Sequence, residues 1–181
     1  MSTSIILLCL VVIGAAAYLV ARSRASALAG GRSSALHSRP AYYGAYAAIW
    51  AVLPALIVLC VWLSVSPGII QTSVRSGFPA DVKAQAAVEQ DLGYSMVATV
   101  ARGLTMLSAD ETATVAGDPA ALQAKLSEKG VPLAGQPQPY MLDAAKKLNT
   151  MSMTSRLAMT AVVFVLAVAG AFYALRAIAP R

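Results

Sequence analysis

Three long apolar runs constrain this chain more than any other feature. No charged side chain occurs between Met1 and Ala21, and Ile5–Val20 is almost wholly aliphatic. The second run has no charge from Pro40 to Arg75, and the third, Leu157–Leu175, is bounded by Arg156 and Arg176. A helix rises 1.5 Å per residue, so about 20 residues cross a ~30 Å hydrocarbon core. Each run is long enough to span. The composition agrees: 58% of the 181 residues are hydrophobic and 12% are charged, whereas soluble domains average about 45–50% and about 25%. An ordinary soluble enzyme, a disordered region and a nucleic-acid-binding module are excluded on these grounds.

The first run competes with a signal peptide, which carries positive charge before its apolar stretch. Here the basic residues, Arg22 and Arg24, follow it, and Ala15-Ala16-Ala17 lies inside the span. An uncleaved anchor is the expectation. The second span, placed at Tyr42–Val65, is expected to kink at Pro54 and to end at Pro67-Gly68. Tyr42, Tyr43 and Tyr46 mark one interface and Trp62 approaches the other, as in an aromatic belt. On the third span, Ala167/Ala171 and Gly170/Ala174 place small residues one turn apart, which permits close helix packing.

The net charge of +6 is a matter of topology. Residues 22–40 hold Arg22, Arg24, Arg32 and Arg39 and no acid, so the positive-inside rule makes this loop cytoplasmic and the N-terminus external. All eight acidic residues fall in 68–156, with an equal number of basic ones. The expected order is span 1 over 1–21, the basic loop over 22–40, span 2 over 41–67, an exported helical domain over 68–156, span 3 over 157–176, and a cytoplasmic end at 177–181.

In the exported segment, Asp118 can cap a helix, Pro119 suits its first position, Leu122 and Leu126 share a face, and Gly130 can close it. Val88, Leu92, Met96, Val100 and Leu104 recur every four residues and predict an apolar stripe on a helix over Ala80–Leu107. Met141, Ala145, Leu148 and Ser152 trace another stripe, on a helix that runs without Pro or Gly from Tyr140 to Ala169. The Pro-rich piece Val131–Pro139 reads as an extended loop, and no convincing strand is present. Fold class is therefore all-α: a membrane protein with three transmembrane helices and a small helical domain between the second and third.

Chemistry finds little to work with. His37 is the single histidine and sits in a basic loop with no acid nearby in sequence. A metal site or a Ser-His-Asp arrangement needs partners that this loop lacks. Cys9 and Cys60 both fall inside spans, where a free thiol behaves as a small hydrophobe. Gly30-Gly31 lacks the Lys-Ser/Thr of a phosphate loop and reads as a turn. The acid pairs Asp110-Glu111 and Glu89/Asp91 read as solvated helix surface. Arg75, Lys83, Arg102, Lys125, Lys129, Lys146 and Lys147 could donate to phosphate, but equal numbers of acids favour a mixed surface. No catalytic residue, cofactor, metal or nucleic-acid partner is expected, and the spans hold no polar relay.

The run Leu36-His37-Ser38-Arg39-Pro40-Ala41-Tyr42-Tyr43-Gly44-Ala45-Tyr46-Ala47-Ala48-Ile49-Trp50-Ala51-Val52-Leu53-Pro54-Ala55 resembles the signature of the N-terminal extension of PstC, a permease subunit of proteobacterial phosphate ABC transporters. The order of spans and loops is similar over essentially the whole chain. The resemblance implies a role in phosphate import at the bacterial inner membrane, as a multi-pass protein with a periplasmic N-terminus and a periplasmic helical domain. Its implied partners are membrane lipid, a second permease subunit, ATPase subunits and a periplasmic phosphate-binding protein. Such permeases carry a cytoplasmic Glu-Ala-Ala…Gly coupling loop. Asp143-Ala144-Ala145 lacks that Gly and lies on the exported side, so the likeness is to the accessory region rather than to the core. Leu36, His37, Pro40, Tyr42, Tyr43, Gly44, Tyr46, Trp50 and Pro54 form the candidate interaction motif, expected to dock the extension on its transporter. The alternative reading is a membrane-anchored sensor or interaction module of a signalling protein.

Overall fold

The computed structural model describes residues 2–28 and 40–177. Arg32, Leu36, His37 and Arg39, the Gly30-Gly31 turn and the end at 178–181 lie outside them. The order is α1 (Thr3–Leu28), α2 (Pro40–Ser76), α3 (Ala80–Lys83), α4 (Ala87–Leu104), α5 (Ala109–Thr114), α6 (Pro119–Glu128) and α7 (Pro139–Ala177). No strand occurs among the described residues, and α1, α2 and α7 are long and apolar enough to cross a membrane. The chain divides into two compact units, Met1–Ser64 with Arg156–Arg181, and Val65–Ser155. Helices α2 and α7 contribute residues to both.

The first unit packs through small residues. Ala47, Ala51 and Ala55, spaced every four along α2, are fully buried, as are Ala21, Ala167 and Ala174. One cluster joins Ala17, Ala21 and Ala25 of α1, Ala47 and Ala51 of α2, and Ala174 of α7. A second joins Ile6, Leu10, Ala55, Leu59, Met159, Val163 and Ala167. The C-terminal parts of α1 and α7 therefore meet the N-terminal part of α2, so α2 runs antiparallel to both. Alanine and glycine allow backbones to approach closely enough for dispersion to replace the hydrophobic drive that lipid cannot supply.

The second unit surrounds a core of Val74, Phe78, Val82, Val97, Val100, Ala101, Leu104, Val115, Leu122, Leu126, Met141 and Ala145. Helix α6 follows its sequence signals. The Asp118 carboxylate accepts from the Ala120 and Ala121 N–H groups at 2.9 and 3.2 Å, and Leu122 and Leu126 are buried. At its end Gly130 adopts φ +80°. The Val131 N–H then donates to the Leu126 carbonyl at 2.8 Å and the Gly130 N–H to Ser127 at 3.0 Å, the paired bonds of a Schellman cap. Asp118→Ala is expected to cost about 1 kcal/mol, read as faster amide exchange at Ala120 and Ala121.

Four expectations need correction. Helix α2 does not end at Pro67-Gly68 but continues to Ser76. Proline keeps a helical φ and removes a single donor; beyond it Ile70 and Val74 pack on the second core, which holds the helix together against local propensity. The segment 80–107 is not one helix. It breaks at 84–86, where the Gln90 side-chain amide donates to the Lys83 and Gln85 carbonyls at 3.0 Å. The four-residue stripe on α4 also fails: Val88 is 69% and Leu92 64% exposed, while Val97, Val100, Ala101 and Leu104 are buried. Four residues turn a helix by about 400°, so a strict four-residue repeat drifts by about 40° per step. The face that packs follows i, i+3, i+4, i+7 instead. The piece expected as loop gives up Pro139, which opens α7.

Candidate interaction surface

The described part of the candidate motif lies at the start of α2, and the structure sorts it into two faces. Pro40 opens the helix. Gly44 and Tyr43 turn inward. Tyr43 packs against the alanine cluster, and a methyl group on Gly44 meets the Tyr18 ring at 2.7 Å and the Tyr18 carbonyl oxygen at 2.9 Å. Only glycine lets α1 and α2 approach so closely there.

The same economy joins α2 to α7. A methyl group on Gly170 collides with the Trp50 carbonyl oxygen and lies 2.8 Å from its carbonyl carbon and 3.3 Å from the Ala51 Cα. That carbonyl is the one whose helical donor would be residue 54, and residue 54 is a proline without an N–H. That oxygen, which cannot accept from residue 54, faces the bare Cα of Gly170, an arrangement suited to a weak Cα–H···O contact. Pro54 and Gly170 are complementary although 116 positions separate them.

Tyr42, Tyr46 and Trp50 face outward. Tyr42 is 67% and Trp50 41% exposed. The Tyr46 and Trp50 rings stand 6.2 Å apart, edge to face. Trp50 also meets Tyr173 of α7 at 5.2 Å. One turn on from Phe172, the Arg176 guanidinium lies 5.5 Å above that ring. Arg22 and Arg24 are exposed on the same end of α1, since they flank Ala21 and Ala25 of the shared alanine cluster. Sequence reasoning placed the motif's aromatics at an interface; it missed Tyr173, Phe172 and Arg176 as their neighbours, because no local signal pairs α2 with α7.

In the second unit the candidate phosphate donors are mostly engaged locally. Arg75 pairs with Asp91 and lies 5.2 Å from the Tyr94 ring centroid. Lys125 meets Glu128 at 3.1 Å and Lys129 meets Glu111 at 3.5 Å. Lys147 donates to the Ser73 carbonyl at 2.6 Å and Lys83 to that of Ser76 at 3.3 Å, capping the end of α2. Of the acid pair Asp110-Glu111, the second residue is structural: Ser108 and Glu111 form a capping box at the start of α5. The hydrogen bond from the Ser108 N–H, aided by Lys129, holds the Glu111 carboxyl below its ordinary range. The Ser-x-x-Glu spacing was the signal for that helix. No group of three potential metal ligands occurs among the described residues.

Residues 7–172 match a family model described as a phosphate ATP-binding cassette transporter. No curated protein and no solved structure matches the chain.

Proposed function

Because the chain belongs to the phosphate ATP-binding cassette transporter family, we propose that it is the N-terminal accessory region of the permease in a bacterial phosphate importer. Three helices anchor it in the inner membrane, and the second unit is a periplasmic helical domain that contacts a partner. The family match carries this reading, since it takes in most of both units. The charge distribution supports the orientation. Arg22, Arg24 and Arg176 share one end of the first unit, and the sequence between α1 and α2 adds Arg32 and Arg39 with no acid. The positive-inside rule places that end in the cytoplasm, and the N-terminus and the second unit in the periplasm. No step of catalysis is assigned to the chain.

Within this reading the inward residues of the Leu36–Pro54 motif, Tyr43 and Gly44, assemble the anchor, and partner contact falls to the periplasmic unit. Val88 and Leu92, one turn apart on α4, are the support: both are more than half exposed, on a helix whose other face fills the core. The partner is the phosphate-binding protein that delivers substrate to such importers. The test uses the whole transporter carrying Val88→Lys and Leu92→Lys. Capture of the phosphate-loaded binding protein and phosphate uptake are expected to fall severalfold while the permease and ATPase subunits still co-purify. Unchanged capture and uptake removes this surface from the proposal.

A further inference from the structure

The outward rings of α2 and α7, Arg176, and Arg22 and Arg24 of α1 all belong to the end of the first unit that holds the alanine cluster. Tyr46, Trp50 and Tyr173 form a run of ring contacts at 6.2 and 5.2 Å, and Tyr173 is 56% exposed. Beside it Arg176 lies over Phe172, which holds the guanidinium against a ring, and among the described residues no carboxylate pairs with it. Arg22 and Arg24 belong to the same end. The first unit contains no Asp or Glu anywhere in its sequence, so none of these cations has a carboxylate of its own unit to neutralise it. Indole and phenol rings favour the headgroup level of a bilayer, and guanidinium groups bind phosphate through parallel hydrogen bonds.

We propose that Arg22, Arg24 and Arg176, with the Tyr46–Trp50–Tyr173 rings, form a docking surface for anionic phospholipid headgroups. The occupant follows from charge complementarity: a cationic, acid-free end framed by interfacial rings selects a lipid with net negative charge over a zwitterionic one. Each arginine near an anionic surface contributes on the order of a fivefold preference. Arg156, in the part of α7 that packs at the other end of the unit, takes no part.

Trp50 is the reporter. The chain has two tryptophans, so Trp62→Phe leaves Trp50 as the only indole. The full-length chain is placed in nanodiscs of phosphatidylcholine containing an equal, minor fraction of either brominated phosphatidylglycerol or brominated phosphatidylcholine. Quenching of Trp50 is expected to be severalfold stronger with the brominated anionic lipid. Arg176→Gln cuts the excess about fivefold, and combining it with Arg22→Gln and Arg24→Gln abolishes it. Arg156→Gln leaves it unchanged. Native mass spectrometry of the unsubstituted chain supplies a second readout that needs no variant: phosphatidylglycerol is retained in preference to phosphatidylcholine. Equal quenching by the two lipids, survival of the excess in the triple variant, or no quenching by either lipid, as when a protein surface covers Trp50, each overturns the proposal. Loss of the excess on adding millimolar inorganic phosphate at constant ionic strength assigns the site to free phosphate and overturns the lipid assignment.

Discussion

Gly170→Ala is expected to lower the unfolding free energy of the full chain in detergent by about 3 kcal/mol, the upper end of the overpacking range. The added methyl has nowhere to go. It meets the Trp50 carbonyl and the Ala51 Cα, which are backbone atoms and cannot rotate aside as a side chain can. Relief requires α2 and α7 to separate, which loosens the seam in which Ala51 and Ala174 are fully buried. Gly68→Ala is the matched control, because nothing lies within 4 Å of its Cβ position. There the same exchange removes a helix-interior glycine and is expected to stabilise by up to about 1 kcal/mol. Opposite signs in denaturant titrations followed by circular dichroism are the expected result. Two similar shifts would remove close α2–α7 packing as the explanation.

The second large effect lies in the other unit. Leu126 is fully buried, and its Cδ2 atom occupies the space a side chain on Gly103 would need. Leu126→Ala is expected to cost about 3 kcal/mol through lost burial and a residual cavity. It is read as increased protease cleavage and amide exchange across α4 and α6 in the full-length chain. Gly103→Ala also destabilises, since its methyl strikes Leu126. Combined, the two changes relieve each other: the small side chain at 126 makes room for the methyl at 103. A double-variant loss below the sum of the singles is the signature of direct contact. Strict additivity argues that α4 and α6 do not pack through this pair.

Features whose cause is local could be read from the chain. Asp118, Pro119, Leu122, Leu126 and Gly130 announce α6 because capping, fixed φ and helical spacing act within a dozen residues. The three long apolar helices are legible because lipid demands length and the absence of charge, both properties of a single segment. Features decided by distant partners were hidden. The extension of α2 past Pro67-Gly68 depends on the core that receives Ile70 and Val74. The exposure of Val88 and Leu92 depends on which side of α4 its neighbours occupy. In the motif, nothing local to Gly44 points to Tyr18, the α1 residue whose ring and carbonyl a side chain there would strike. Nor does a single sequence reveal that the carbonyl deprived of residue 54 as a donor lies where Gly170 arrives.

The Ser66 and Ser155 hydroxyls hydrogen-bond at 2.6 Å, one residue inside the start of the second unit and at its last residue. The chain therefore enters and leaves this unit through neighbouring points. Such a unit is an insertion with a closed mouth: loops and helices between the two serines can lengthen, shorten or be exchanged without changing the separation of the junctions.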